Sequence, residues 1–507
     1  MAASQKKTGL WNTRSWLNLR NAVQIIAFIG FIALFINTSH ILMGLDPLAM
    51  LANLVSSRTF ERLSLLALVP LALAVVFGRA WCGWLCPMGT ILEWFSFNRR
   101  RPVHGRIPDG WRSVKYVLLI AILAAAIFSN LTLLVLDPLT VMVRTFATAV
   151  WPALDFMVNL MESALNNVPF LQESVARFDN AVRPLLLPTD PHFYFGGWVF
   201  AAVFAGIILL NLAAERFWCR YLCPLGAFYG LISKVSLVRR RVDESCIKCK
   251  LCENACPTDT IKRETQCSSD PGECIMCLKC MDACPCSTSD FGHVSSPAQF
   301  NSYDPVRRQL LLGLGAAAAL LLLFRVNPLA QKRSNPWLIR PPGATDHDMR
   351  ARCIRCGLCI KSCPTAAIQP SMVEAGAEEV WTPVIVPRTG FCQYSCNACG
   401  QSCPVAAIPA LPLIEKKVTS IGRAFIDRNL CLPWAQNTPC IVCEEMCPVP
   451  HKAILLRATE IKKEGGSKIT LQRPTVLAES CIGCGLCEYK CPVEGEAAIR
   501  VRALEYD

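Results

Sequence analysis

Cysteine is the residue type able to do chemistry here, and its spacing says which chemistry. Of the 30 cysteines, 24 fall into six runs of four, each closing on Cys-Pro. Cys246, Cys249, Cys252 and Cys256 read C-x2-C-x2-C-x3-C, as do Cys274, Cys277, Cys280 and Cys284, then Cys353, Cys356, Cys359 and Cys363, and finally Cys481, Cys484, Cys487 and Cys491. Cys392, Cys396, Cys399 and Cys403 have one extra residue in the first gap. Cys431, Cys440, Cys443 and Cys447 carry a long first gap, Leu432–Pro439, which moves a loop without moving the thiolates. This is the ligand rhythm of 4Fe–4S clusters. Three thiolates in a tight loop hold one cubane, and the fourth, displaced ahead of proline, ligates a partner cluster. The first two runs therefore predict a two-cluster module: Cys246, Cys249 and Cys252 with Cys284, and Cys274, Cys277 and Cys280 with Cys256. The other sixteen cysteines predict four more clusters. Zinc sites and disulfide frameworks do not usually repeat a fourth cysteine before proline. No C-x2-C-H occurs, so c-type haem is not expected.

Six cysteines remain. Cys82 and Cys86 lie in WCGWLCPMG, and Cys219 and Cys223 in WCRYLCPLG. Together these four offer ligands for a seventh cluster; a redox-active dithiol or two structural thiol pairs are the other readings the spacing allows. Cys267 and Cys286 fit no pattern and read as structural.

These loops need elements to hold them, and the composition says where. At 53% hydrophobic the chain is more apolar than a soluble domain. Spans are expected at Val23–Met43, Leu63–Phe77, Val117–Leu136, Trp198–Leu212 and Leu310–Phe324. The first four form a duplicated unit: span, DPLAM, span, WCGWLCPMG, then span, DPLTV, span, WCRYLCPLG. Two such hairpins about a pseudo-twofold axis would bring both C-x3-C-P loops together. The expected fold is an α-helical membrane unit of four spans as a duplicated hairpin, plus a fifth span, with two ferredoxin-like α+β iron–sulfur domains. Its parts are 1–242 (membrane unit), 243–300 (two-cluster module), 301–340 (fifth span and linker) and 341–507 (four-cluster domain, with little apolar core of its own).

The net charge of +13 is concentrated at span ends. Lys6, Lys7, Arg14 and Arg20 precede the first span, Arg99, Arg100 and Arg101 follow the second, and Arg239, Arg240 and Arg241 follow the fourth. By the positive-inside rule the N-terminus, both C-x3-C-P loops and the two-cluster module face the cytoplasm. That placement also makes nucleic acid an unsuitable partner for the basic runs. Arg307 and Arg308 before the fifth span look like a twin-arginine export signal, or like ordinary inside anchors. Either way, residues 330–507 are expected in the periplasm.

Asp46 and Asp137 each precede proline. They read first as helix N-caps and second as carboxylates taking protons from a quinol, which makes them the candidates for catalytic residues. No Gly-rich dinucleotide fingerprint follows a strand, so neither NAD nor flavin is expected.

Residues 1–300 resemble NapH, a membrane ferredoxin-type protein whose superfamily, with NosR and CcoG, shares the C-x3-C-P signature. Residues 300–507 resemble NapG, a periplasmic four-cluster ferredoxin. The resemblance implies a quinol dehydrogenase, or electron-transfer subunit of a respiratory oxidoreductase, in a bacterial inner membrane. It would draw on the quinone pool and serve a periplasmic reductase or cytochrome, with further subunits. It also implies a nested ligand exchange, in which Cys491 joins Cys353, Cys356 and Cys359, Cys363 joins Cys481, Cys484 and Cys487, and the inner runs exchange Cys447 and Cys403; exchange between neighbouring runs is the alternative. Electron flow from a periplasmic donor into quinone, and redox maturation of another metalloenzyme, are the rival functions.

Overall fold

The computed structural model describes residues 13–96, 107–170, 172–181, 192–262, 266–293, 335–462 and 468–504, with isolated positions at 183 and between 311 and 319. It divides into two compact units, one of residues 1–143 and 201–323, the other of residues 144–200 and 324–507.

In the first unit, aspartate and proline set where helices begin. Asp46 is extended, its Oδ1 accepts from the amides of Leu48 and Ala49 at 3.0 and 3.1 Å, and Pro47 opens helix Pro47–Ser57. That helix stops at Arg58, whose φ of 54° is left-handed. Asp137 repeats the device ahead of helix Pro138–Thr145, its Oδ2 accepting from Leu139 and Thr140 at 2.9 and 3.1 Å. Both aspartates are thus N-caps, whose side chains satisfy amides that the first turn leaves open. The unit continues through helices Leu68–Phe77, Pro87–Trp94, Ser113–Ile127 and Pro224–Ser233. It ends on strand Val238–Val242, antiparallel to Ser289–His293 with Val238 opposite His293, and the two-cluster cysteine runs lie between those strands. The fifth expected span lies largely outside the described residues.

Several apolar helices are suited to a bilayer. Arg14–Ile36 and Gly110–Ile127 are long enough to cross one, matching the first and third expected spans. The second and fourth are shorter apolar helices, Arg62–Phe77 and Gly197–Leu212. A third long apolar helix, Pro138–Asn166, lies between the third and fourth expected spans, where no span was expected. Asp155 and Glu162 hid it by lowering the hydropathy, yet both are buried.

In the second unit, residues 144–200 pack with the C-terminal part, although the sequence boundaries gave them to the membrane unit. The reason is specific contact. Arg144 is buried, with its guanidinium 4.2 Å from the ring centroid of Trp381 and 5.1 Å from that of Phe200, and it donates to the Arg355 carbonyl at 3.3 Å. Tyr194 donates to the Ile360 carbonyl, and Gln369 donates to the Phe193 carbonyl at 3.0 Å. Three two-stranded antiparallel sheets complete the unit: Ile368–Pro370 with Pro383–Ile385, Arg423–Ile426 with Ile499–Arg502, and Ile454–Lys462 with Lys468–Val476. Contrary to expectation, this part has an apolar core. Tyr194, Ile339, Ile360, Ile385, Ile454 and Ile499 are buried in one cluster, and cysteines of all four runs pack into or against it. The core is built from short strands whose apolar residues are too few per segment to stand out in the sequence.

Candidate metal centres

Each regular run makes the same loop. The residues two and four places after the first cysteine have positive φ: Lys248 and Lys250, Met276 and Leu278, Arg355 and Gly357, Gly483 and Gly485. Alternating left-handed residues turn successive amides inward and form a concavity suited to an anionic group. The third cysteine of each run then enters a four-residue helix, namely Leu251–Asn254, Lys279–Asp282, Leu358–Lys361 or Leu486–Tyr489. Gly483 has no room for a side chain, since a Cβ there would meet the Gly422 backbone at 2.3 Å.

The folded chain sorts these thiols into sets. Cys256 stands beside Cys274, Cys277 and Cys280, and Cys284 beside Cys252 and Cys246. In the second unit Cys353, Cys356, Cys359 and Cys403 line one small cavity. Cys363 stands beside Cys392 and Cys399, with Cys396 in the same group. Cys447, Cys481, Cys484 and Cys487 line a second small cavity. Cys491 stands beside Cys431, next to Cys440 and Cys443. The pairing is therefore between neighbouring runs, first with second and third with fourth, and the nested exchange implied by the resemblance is corrected.

The sets also follow one another in space. Cys359 faces Cys399, the Cys392 amide donates to the Cys484 carbonyl at 2.8 Å, and Cys487 faces Cys443. Burial pushes the Cys399, Cys443 and Cys484 thiols up to about 12. Such thiols stay protonated on their own and need a bound cation to become thiolates. Among the described residues no three Cys, His, Asp or Glu side chains converge as they would on a single metal ion. Each set offers four thiols, the number that a 4Fe–4S cluster takes, one to each iron.

The C-x3-C-P loops come together as well. Cys86 neighbours Cys82 and Cys219, and Cys223 neighbours Cys219, Cys82 and Cys86. Cys86 and Cys223 each stand just before a helix opened by proline, and Cys223 Sγ accepts from the Gly226 amide at 3.2 Å. Two arginines that sequence reasoning missed tie the loops reciprocally. Arg79 donates to the Cys219 carbonyl and Arg216 to the Cys82 carbonyl, each at 3.2 Å. Both arginines are buried; Arg79 pairs with Glu273 at 3.0 Å and Arg216 with Glu93 at 2.6 Å. The signal was present, since each arginine lies three residues before the first cysteine of its motif. Glycine in CPMG and CPLG makes room for them: a Cβ on Gly226 would lie 2.8 Å from Arg79.

Asp46 and Asp137 are fully buried, and their carboxyl groups are neighbours. Asp46 Oδ2 and Asp137 Oδ1, the oxygens not used in capping, have no hydrogen-bond partner among the described residues. Both lie near the buried Tyr229 hydroxyl, which also neighbours Cys82 and Cys86. Cys267 is buried beside Cys246 and Cys252, while Cys286 is exposed.

A 4Fe–4S binding domain model matches residues 62–104 and 196–243, which contain both C-x3-C-P loops. A 4Fe–4S dicluster domain matches residues 352–432, and 4Fe–4S binding domains match 241–262, 271–295 and 474–495. The methylamine utilization ferredoxin-type protein MauM of Methylorubrum extorquens is 34% identical over 208 residues, 39% of this chain and 89% of MauM. The ferredoxin-type protein NapG of Haemophilus influenzae is 31% identical over 221 residues, 40% of this chain and 73% of NapG. NapH from the same organism is 25% identical over 225 residues, 43% of this chain and 62% of NapH. No solved structure matches. Cysteine sets, domain models and relatives agree: the chain belongs to the MauM and NapG family of ferredoxin-type iron–sulfur electron-transfer proteins, as a fusion of NapG-type and NapH-type parts.

Proposed function

We propose that this chain takes electrons from quinol in a bacterial inner membrane and delivers them to a periplasmic reductase, through seven 4Fe–4S sites. Six are the quartets of the ferredoxin runs, and the seventh is the set Cys82, Cys86, Cys219 and Cys223. A 4Fe–4S cluster, when bound, carries one electron at a time, which suits it to divide the two electrons of a quinol. The chain's own part is to hold the thiols in order, keep water from them and set the charge around them.

The observation that carries this reading is the continuity of the cysteine sets. In the first unit, the loop of Cys274, Cys277 and Cys280 meets the C-x3-C-P site directly: the Ile275 carbonyl packs on Gly83, and the Trp84 indole donates to the Met276 carbonyl at 2.9 Å. In the second unit the four sets form an unbroken row. The reciprocal bonds of Arg79 and Arg216 support a duplicated hairpin whose halves face each other across the seventh site. The packing of residues 144–200 with the C-terminal part supports one compartment for both, the periplasm on the charge reading.

Electrons entering from a periplasmic donor would use the same parts in reverse. That second reading is favoured by the likeness to MauM, whose name ties it to methylamine utilization.

The test is anaerobic reduction of the purified full-length protein by a short-chain quinol, followed by EPR. Signals from several centres are expected. A protein that dithionite reduces fully but no quinol reduces at all would sink the quinol reading.

A further inference from the structure

We propose that the apolar cavity of about 560 Å³ beside the start of the first long helix is the binding site for the ring of an isoprenoid quinone. The inference rests on the quinol reading above and gives it a place. The volume lies within the range of about 300–1,000 Å³ usual for small-molecule sites. The walls come from helices Thr13–Ile36 and Leu68–Phe77, from the first C-x3-C-P loop, from the second inner cysteine run and from strand Ser289–His293.

Three features choose the occupant. First, Trp81 lines the cavity with 9% of its surface exposed, and its indole N–H has no hydrogen-bond partner among the described residues. A buried donor left unmet is costly, and a carbonyl oxygen on the occupant would satisfy it. Trp84, by contrast, spends its N–H on the Met276 carbonyl and so fastens one wall to another. Second, the walls adjoin two candidate cluster sites. Trp81 precedes Cys82, Trp84 lies between Cys82 and Cys86, and Met276 and Leu278 flank Cys277. A lipid chain has no use for an indole donor or for two redox sites; a planar apolar ring bearing carbonyls has a use for both. Third, the rim carries one charge, Asp290, paired with Arg241 at 2.8 Å, so the interior is left to apolar side chains. Trp218, the equivalent tryptophan of the second motif, also has an unpartnered N–H but is not part of this wall. Asp46 and Asp137 do not line it either, which separates quinone binding from the buried carboxyl pair.

The experiment measures binding of decyl-benzoquinone to the full-length protein in nanodiscs by calorimetry, for wild type, Leu73→Trp and Trp81→Phe. Leu73 lines the cavity, and the larger ring should weaken binding at least tenfold. Loss of the indole N–H alone should weaken it about tenfold, the worth of one buried hydrogen bond. An azido-quinone on wild-type protein should label peptides containing Trp81 or Met276, a readout that no misfolded variant can imitate. Unchanged affinity in both variants, or labelling around Asp46 and Asp137, overturns the proposed site while the quinol reading stands. Decylbenzene bound as tightly as the quinone assigns the cavity to a lipid chain and overturns the proposal too. Wild type that binds no quinone, and whose centres no quinol reduces, overturns both readings together.

Discussion

Gly83 and Arg220 hold the same place in two otherwise parallel motifs, WCGWLCP and WCRYLCP, and the difference is informative. A Cβ on Gly83 would sit 2.1 Å from the Ile275 carbonyl, so glycine is what lets the second inner cysteine loop approach. Arg220, itself buried, instead pairs with Asp259 at 3.3 Å, just after the first inner cysteine run. Gly83→Arg is expected to displace the Cys274–Cys280 loop and cost the protein one cluster's share of iron, measured by iron per chain. Glu273 is the second sensitive point. Lys115 bonds it at 2.6 Å and Arg79 at 3.0 Å. Burial alone would raise this carboxyl, but Lys115, Arg79 and Arg112 outweigh burial and hold it below its ordinary 4.5. Glu273→Gln strands two buried cations and should cost about 3–5 kcal/mol. A carboxyl held low stabilises the fold fully above its unfolded value, and that contribution fades as pH falls through the folded value. The gap in Tm between wild type and Glu273→Gln should therefore be widest near neutrality and narrow below about pH 4.5. At the carboxyl pair, Asp46→Asn should be tolerated, because the amide oxygen keeps the cap and its N–H can face the neighbouring Asp137 carboxyl. Asp46→Ala should lose about 1 kcal/mol of cap energy. Denaturant midpoints of the two variants separate these cases.

At the scale of elements, the cysteine loops were legible before any coordinates. Spacing alone assigned Cys256 and Cys284 to each other's clusters; in the folded module Cys256 neighbours Cys274 and Cys284 neighbours Cys252. The exchange in the second unit was not legible, because four runs allow both nested and neighbouring pairings at identical spacing. The neighbouring order predicts a specific non-additivity. Cys353→Ala and Cys403→Ala combined should lose no more iron than either alone, whereas a nested scheme would lose two clusters. The Asp-Pro caps were legible from residue type, but the contact between Asp46 and Asp137 was not, being made across the two repeats. Arg79 and Arg216 were missed for the opposite reason: sequence gives their regular offset but not the carbonyl each one meets. Helix Pro138–Asn166 was not among the expected spans because its charged residues lower the hydropathy, and sequence does not show that Asp155 and Glu162 are both buried.

At the scale of the molecule, the second unit gathers two stretches of chain far apart in sequence. If the periplasmic placement holds, protease sites inserted at the exposed Phe170 and Val373 should be cut together in spheroplasts, and one at the exposed Val235 only after the inner membrane is ruptured. Cleavage of Val373 alone would disprove the common compartment. The same gathering of distant stretches bears on what the fusion is for. The grip of Arg144, Tyr194 and Gln369 is made by side chains and does not require a covalent link between the stretches. A tether between them raises their effective concentration to the order of millimolar without adding a contact. Two separately translated polypeptides with these surfaces should therefore reassociate, only more weakly and with a dependence on dose, as in an unfused ancestor whose halves meet by diffusion.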